Sequence, residues 1–327
     1  MSQSDADASK DSDFFAISPL MIFPKTLGKF KVFIKQAGQY VLYAGENEQF
    51  TDRHRRKLHE YGVARVYVKT AQRASFDRYV ERNLPVILMD DAFPLEDRSR
   101  IFYAASVSVV KEVFENRLPA GMGKREYARI AAFAQKSVEF LSLDASLKQV
   151  ASLVSHDYSV YTHSVQVFVY STAILQSLRM DEYDIVQSGI GALMHDLGKR
   201  AISRDILAKP GPLTPEERAI VNTHPVKGVA MCMGLPLTQM ALSAILLHHE
   251  RMDGSGYPGG VAGDSIPTHV RAVAVADVYD ALTTRRPYAE AVTPFEALKI
   301  MRDDMTGAFD MDMYKRLVMI LSGADIL

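Results

Sequence analysis

The stretch IGALMHDLGK, residues 190–199, decides how the C-terminal part of this 327-residue chain folds. Its small and apolar residues predict the end of a buried helix that closes on the pair His195-Asp196. A metal ion at the edge of a core would offset the cost of burying such ionisable side chains. Gly198 relieves backbone crowding beside the pair, and Lys199 adds a point charge suited to phosphate. An ordinary helix C-terminus, where His and Lys favour the last carbonyls, is the alternative interpretation.

More candidate metal ligands accompany this pair in the same part of the chain. Five of the nine histidines belong to the set. Imidazole nitrogens and carboxylate oxygens together suit first-row divalent metals. The whole set is too large for one ion, whereas two ions that share a bridging carboxylate would use all of it. Its members are His163, His195, Asp196, His224, His248, His249 and Asp277.

Local patterns place these ligands at the ends of helices. Thr214 predicts the start of a helix that delivers His224. The apolar run 241–247 predicts a helix that ends in the pair His248-His249. A lone histidine is more often a satisfied structural residue than a ligand. A pair that closes an apolar helix is rarer and favours a binding site.

Two further segments complete the candidate site. Residues 253–260 form a glycine-rich loop whose backbone N–H groups can approach an anion, while Tyr257 can stack on a base or bond a phosphate. A simple multi-turn loop predicts the glycines equally well. Residues 271–276 form an apolar run that ends at Asp277, and a buried acid there needs a cation, a metal or several donors. Asp280 follows one turn later, where we expect it to orient a ligand or the leaving group without binding a metal.

The composition of the chain excludes or disfavours several classes of protein. A formal net charge of -1 gives no overall basic field, which disfavours nucleic acid as the main partner. The single cysteine, Cys232, excludes an internal disulfide and a thiolate metal site. No apolar run approaches the roughly 18 to 20 residues that cross a bilayer, so we expect no membrane span. Residues 1–13 are polar and acidic, unlike a secretion signal, so we expect residues 1–14 to form a disordered leader on a cytoplasmic protein.

The N-terminal part has a different sequence pattern. Short β-type runs dominate residues 15–88. Phe30, Val32 and Ile34 alternate with lysines, and a second run at 39–43 follows a glycine, which predicts a hairpin. Two further elements are predicted, a helix at 52–61 and a strand at 65–68.

From residue 95 the pattern is helical to the end of the chain. We therefore expect an α+β two-domain protein in which a small N-terminal α+β module is joined to an all-α helical bundle. The expected limits are a leader at 1–14, a regulatory or sensor-like module at 15–94, a helical connector at 95–145 and a catalytic domain at 146–327.

Four motifs carry a resemblance to a known family. They are HDLGK at 195–199, HHERMDGSGYP at 248–258, VADVYDAL at 275–282 and RRPY at 285–288. In this order and at these separations the sequence resembles the HD-GYP family of the HD phosphohydrolase superfamily, over roughly residues 155–300. The resemblance implies an HD-type helical bundle that hydrolyses cyclic di-GMP to pGpG and/or GMP. It also implies a centre of two or three divalent metal ions, most often iron or manganese.

The resemblance also implies a role for each matching residue. His163, His195, Asp196 and Asp277 would hold one metal, with Asp196 bridging to the second. His224, His248 and His249 would complete the second metal site. The remaining positions match residues that contact the phosphate or nucleotide in relatives, and they are Lys199, Gly256, Tyr257 and Arg286.

Two departures from the family pattern affect these expectations. Three-metal members have a glutamate one helical turn before the first histidine, where this chain has Ser159. Asp157 lies six residues before His163, on the wrong face of a helix to replace it. We therefore expect two metals. Many members also have a cation after RPY, where this chain has Ala289, which weakens the expected binding of phosphate or alters the choice of ligand.

The implied mechanism is hydrolysis by a hydroxide that bridges two metals, with His195, Asp196 and Lys199 as the catalytic group. Two alternatives remain open, a cyclic-dinucleotide-binding signalling module with weak or no hydrolysis and an HD hydrolase of another nucleotide. The expected partners are cyclic di-GMP and, through the N-terminal module, signalling proteins. An oligomer is possible.

Overall fold

A computed structural model describes residues 13–22, 28–48, 50–91, 94–115, 123–142, 149–150, 159–284 and 290–322. The chain divides into two compact units, Met1–Ile101 and Phe102–Leu327. The first holds the strands and the second is helical, which confirms the predicted α+β class with a C-terminal helical bundle. Most of the predicted leader lies outside the described residues.

The N-terminal unit contains a four-stranded antiparallel sheet in the order β1-β4-β2-β3. Helices follow β3 and β4 along the chain. The strands are β1 (Phe14–Ile17), β2 (Val32–Gln36), β3 (Gln39–Ala44) and β4 (Val66–Lys69). The helices are α1 (Asp52–Glu60) and α2 (Arg73–Met89).

The predicted hairpin is confirmed, but the predicted alternation along its first strand is wrong. Gln36 pairs with Gln39 across a two-residue turn. The register shifts between Val32 and Phe33 because Tyr43 is an extra residue on the partner strand β3, and Val32 and Phe33 are both buried while Ile34 is only half-buried. β2 lies between β4 and β3 in the sheet and has buried side chains on both faces, whereas the prediction assumed one buried face.

The prediction of β-type runs as far as residue 88 is also wrong, because α2 is a helix. Its buried side chains recur at helical spacing, but Pro85 lies inside the helix and is a poor helix signal. The buried residues are Phe76, Tyr79, Val80, Leu84, Ile87 and Leu88.

The described secondary structure of the second unit is helical. The first of its helices begins at Leu95, before the boundary between the units at residues 101 and 102. Of the described helices, none combines the length and apolar character that a bilayer crossing requires. The helices are α3 (Leu95–Glu115), α4 (Lys124–Leu141), α5 (Val160–Ser177), α6 (Glu182–Met194), α7 (Arg204–Leu207), α8 (Pro215–Val221), α9 (His224–Met231), α10 (Gln239–Leu247), α11 (Thr268–Thr283), α12 (Pro294–Asp303) and α13 (Met311–Ser322).

The middle of the bundle is a group of closely packed helices. α5 is buried from His163 to Leu175 and packs against α6 and α11. α6 packs against α10, and Gly191 allows the close approach, because a Cβ there would lie 2.6 Å from the Ala244 Cβ and 2.7 Å from the Ala241 carbonyl oxygen. The end of α6, and with it the His195-Asp196 pair, is therefore held against the end of the bundle core.

Ser159 begins the helix that carries His163. The Ser159 Oγ accepts a hydrogen bond from the Thr162 backbone N–H at 3.1 Å, and the Thr162 Oγ1 accepts one from the Ser159 N–H at 2.9 Å. This reciprocal cap satisfies two backbone donors at the start of α5. The serine that departs from the family pattern therefore has a structural role here.

We predict that Ser159→Ala lowers the free energy of unfolding of the helical unit by about 1 kcal/mol, because the cap is lost. Ser159→Asp keeps an accepting oxygen and is expected to remain near the wild-type value. Urea unfolding followed by circular dichroism measures both variants. An alanine variant as stable as the wild type would contradict the capping role.

Candidate metal centre

Three histidines of the site lie at helix ends, where backbone carbonyls lack helical partners. His195 and His248 follow the last residues of α6 and α10, and His224 is the first residue of α9. In each case the ring Nδ1 contacts the carbonyl oxygen three residues earlier, so Nδ1 must donate a proton to it. The distances are 2.6 Å from His195 to Ala192, 2.8 Å from His224 to Val221 and 2.9 Å from His248 to Ile245.

These contacts leave the Nε2 atoms as acceptors that face one another. His195 Nε2 lies 3.3 Å from His163 Nε2, and His224 Nε2 lies 3.1 Å from His248 Nε2. Two imidazole lone pairs at this distance repel each other unless a proton or a metal cation lies between them. Both pairs therefore fit the requirements of a metal-binding site.

Two buried carboxylates lie beside the imidazoles. Asp196 is fully buried, its Oδ2 accepts from Lys199 Nζ at 2.6 Å, and its Oδ1 has no hydrogen-bond partner among the described residues. His224 Nε2 lies 3.4 Å from that Oδ1. Asp277 places one oxygen 3.0 Å from His163 Nε2 and the other 3.5 Å from His249 Nδ1. An unsatisfied, buried carboxylate oxygen is costly without a cation.

Burial keeps four of the histidines neutral, as metal ligands must be. Desolvation lowers the pKa of His195 and His224, lowers that of His248 well below its usual value, and lowers that of His249 to about 3. His163 differs. Burial opposes its charged form, but hydrogen bonds to Asp277 and Asp280 outweigh that effect and raise the pKa of His163 to about 9.

The two aspartates remain ionised in spite of burial. Desolvation raises their pKa, but nearby cationic groups outweigh it and hold the pKa of each well below the usual range. For Asp196 the largest opposing contribution comes from Lys199, and for Asp277 it is the hydrogen bond with His163. The centre therefore holds two negative charges that require nearby positive charge.

The structure brings together all of the side chains predicted as metal ligands. Within each of three groups, the possible ligand atoms lie no more than 4.8 Å apart. The groups share His195 and His248, so that they form one continuous cluster. They are His163, His195 and Asp277, then His195, Asp196 and His248, and finally His224, His248 and His249.

Of the side chains predicted to contact substrate, those that the structure describes lie around this cluster. Lys199 reaches Asp196, and 18 % of its side chain is exposed. The Tyr257 ring lies 4.7 Å from that of His249 at an interplanar angle of 34°, and its backbone N–H donates to the His249 carbonyl at 3.2 Å. Desolvation raises the pKa of Tyr257, so its hydroxyl stays protonated. Arg286 lies outside the described residues, as does Ala289.

Two glycines are required by close backbone contacts. A Cβ at Gly198 would overlap the His224 carbonyl oxygen and lie 2.5 Å from the Gly228 nitrogen, which agrees with the crowding predicted from the sequence. A Cβ at Gly256 would lie 2.5 Å from the His249 carbonyl oxygen. Gly256 therefore lets the loop pack on the helix end that carries the ligands, and its contact with substrate stays a prediction.

Glu250 has a structural role that was not predicted from the sequence. This acid is 3 % exposed, and its two oxygens accept from the Gly259 N–H at 2.6 Å and the Val261 N–H at 2.9 Å. It therefore fastens the far end of the Tyr257 loop to the residue that follows His249. Its position directly after the histidine pair was the available signal.

Asp280 lies behind the cluster, as expected from its position one turn after Asp277. Its Oδ2 lies 2.5 Å from His163 Nδ1, and the carboxylate is fully buried. A carboxylate behind a histidine fixes the tautomer and the orientation of the ring, which leaves the opposite nitrogen for the metal. Nε2 of His163 points in this way toward Asp277 and His195.

We predict that Asp280→Asn lowers the affinity for Mn²⁺ by about 10- to 100-fold, the usual range for such partners of a ligand. Titration against a metal-chelating indicator measures the change. Asp310→Asn is the matched control, because Asp310 pairs with Arg271 at 3.0 Å outside the cluster. An Asp280→Asn variant with wild-type affinity would contradict the assigned role.

Comparisons with known proteins agree with this site. A family model described as HD domain matches residues 148–313, just over half of the chain. The cyclic di-GMP phosphodiesterase PA4108 of Pseudomonas aeruginosa is 36 % identical over 174 residues, which cover 53 % of this chain and 42 % of that protein. The 3'3'-cGAMP-specific phosphodiesterase 3 of Vibrio cholerae is 32 % identical over 218 residues, which cover 64 % of this chain and 47 % of that protein. The chain thus spans less than half the length of these relatives.

A solved structure supports the fold. Bd1817, an HDG"Y"P protein from Bdellovibrio bacteriovorus, superposes with a TM-score of 0.67 at 23 % identity, over 95 % of this chain and 100 % of that one. At that identity the likeness concerns the fold alone. Together with the family match and the assembled histidine-aspartate cluster, it confirms the resemblance seen in the sequence: the chain belongs to the HD domain family.

Proposed function

We propose that this chain is a metal-dependent phosphodiesterase that hydrolyses cyclic di-GMP to pGpG and/or GMP. The observation that carries the proposal is the continuous cluster of five histidines and two aspartates beside Lys199 and Tyr257. The name of the relative from Pseudomonas aeruginosa supports the choice of substrate. The RPY segment completes the HD-GYP pattern but lies outside the described residues.

The cluster fits two divalent ions, and iron or manganese suits its mixture of nitrogen and oxygen ligands. His163, His195 and Asp277 would hold one ion, and His224, His248 and His249 the other. Asp196 would bridge them, because its oxygens face both groups: Oδ2 lies 3.6 Å from His195 Nε2 and Oδ1 lies 3.4 Å from His224 Nε2. When bound, such ions act as Lewis acids on a phosphodiester and lower the pKa of a bound water to about 7.

The side chains around the cluster would bind and orient the substrate. Lys199 places a cation next to Asp196, where it can offset the negative charge that builds up on phosphate oxygens. The neutral Tyr257 hydroxyl can donate to a phosphate, or its ring can stack on a guanine. Gly256 and Glu250 hold the loop that carries Tyr257 against the ligand-bearing helix end. Arg286 would add a bidentate contact to phosphate.

The direct test is turnover of cyclic di-GMP by the chain loaded with Mn²⁺ or Fe²⁺ under reducing conditions. We expect linear pGpG or GMP as product, and loss of at least about 100-fold in rate for His195→Ala and Asp196→Ala. An unrelated exposed substitution, Asp205→Asn, serves as the control. If the metal-loaded wild type shows no turnover, the proposed activity is wrong.

A different cyclic dinucleotide is the second candidate substrate. The relative named as specific for 3'3'-cGAMP motivates it, and so does Ala289, where many family members carry a cation. Parallel assays with cyclic di-GMP, 3'3'-cGAMP and cyclic di-AMP separate the candidates by their kcat/KM values. Tight binding without cleavage of any of them would instead favour a signalling module with weak or no hydrolysis.

For the N-terminal part, we propose a regulatory module at residues 15–94 and a helical connector at 95–145 leading to a catalytic domain at 146–327. Helix α3 supports the idea, since it runs without interruption from the first compact unit into the second. The module would dock a signalling protein. Deletion of residues 1–94 should change the rate or its regulation, and a truncated chain with unaltered rate and regulation would refute the proposal.

A further inference from the structure

A series of buried polar side chains connects Gln166, one turn after His163 on α5, to the ring of His163. Gln166 and Thr284 are each 1 % exposed, and Asp280 is 0 % exposed. The Thr284 Oγ1 lies 3.3 Å from Asp280 Oδ1 and 3.4 Å from the Gln166 amide, and Asp280 Oδ2 lies 2.5 Å from His163 Nδ1. The other end of the Gln166 amide lies 3.5 Å from the Tyr103 hydroxyl. Buried groups of this kind are costly unless each finds a partner.

The hydrogen bonds of these groups hold the Thr284 hydroxyl next to Asp280. The Thr284 hydroxyl carries one proton, which it shares between two acceptors, the Asp280 Oδ1 and the Gln166 Oε1. The Gln166 Nε2–H, at the other end of the amide, donates to the Tyr103 hydroxyl. Gln166 and Asp280 therefore hold the Thr284 hydroxyl between them, next to the carboxylate that contacts His163.

The neighbouring threonine shows that this arrangement is not a general property of the helix end. Thr283 donates its hydroxyl proton to the Tyr279 backbone carbonyl at 2.9 Å, as threonines in helices often do. The contacts found for the Thr284 hydroxyl are instead with side chains that lead to a predicted metal ligand. Thr283 is therefore a matched reference for Thr284.

We propose that Gln166 and Thr284 are positioning residues that set the orientation and tautomer of His163 through Asp280, an inference that rests on the metal-binding role of His163 in the proposed function. Both oxygens of Asp280 are engaged, Oδ1 by Thr284 and Oδ2 by His163. The carboxylate therefore cannot turn away from the imidazole. The His163 Nδ1–H is held on Asp280, and Nε2 remains directed at Asp277, 3.0 Å away.

The test compares Thr284→Val and Gln166→Leu with the wild type in Mn²⁺ affinity and in the visible absorption spectrum of the Co²⁺-loaded chain. We expect affinity to fall by about 3- to 10-fold in each, less than for Asp280→Asn because these residues act one step further from the metal. The Co²⁺ spectrum should change in both variants. For the Mn²⁺-saturated enzyme we expect kcat to fall and KM for cyclic di-GMP to stay within about twofold.

Two controls separate this role from general destabilisation. Thr284→Ser keeps the hydroxyl, and Thr283→Val removes one that, among the described residues, bonds to a backbone carbonyl, so both should bind Mn²⁺ within about twofold of the wild type. Adding Thr284→Val to Asp280→Asn should cause no further loss, since the two act through the same carboxylate. Gln166→Leu, on a different helix, carries the same prediction if Thr284→Val does not fold.

Wild-type Mn²⁺ affinity and an unchanged Co²⁺ spectrum in Thr284→Val and Gln166→Leu would overturn the inference. Additive losses in the double variant would also overturn it. These readouts use metal binding alone. Failure of the wild type to hydrolyse cyclic di-GMP would therefore refute the proposed activity separately from the positioning role.

Discussion

The site depends on one electrostatic constraint: two ionised aspartates and a set of imidazole lone pairs are buried together at the end of a helical bundle. Asp196 and Asp277 face histidines whose Nε2 atoms lie 3.1 to 3.3 Å from one another in pairs. Neither the lone pairs nor the carboxylates can be buried at low cost without positive charge between them. The ammonium of Lys199 supplies part of it, and two metal ions would supply the rest.

The helical framework meets this constraint by placing the ligands where helices end. At such ends the last carbonyls need donors, and the Nδ1–H groups of His195, His224 and His248 supply them. The same hydrogen bond fixes each ring and directs its other nitrogen into the cluster. His163 follows a different rule, because it lies within the first turns of α5 and takes its support from Asp280.

Much of the site could be predicted from the sequence because its signals are local. An apolar helix that ends in His-Asp or His-His predicts both the element and the place of the ligand, and the structure brings these residues together. The supporting contacts could not be predicted in this way, because they join distant parts of the chain. Asp280 meets His163 across 117 positions, and Thr284 meets Gln166 across 118. In the N-terminal unit, the burial of both Val32 and Phe33 departed from the predicted alternation, and Pro85 inside α2 concealed a helix.

Anomalous diffraction from crystals of the metal-loaded chain, recorded at the iron and manganese absorption edges, would locate the metal ions among these ligands. We expect two peaks in the cluster, one beside His163, His195 and Asp277 and the other beside His224, His248 and His249, with Asp196 between them. A single peak, or peaks away from these side chains, would contradict this expectation. A third peak held from the Ser159 end of α5 would contradict the count of two.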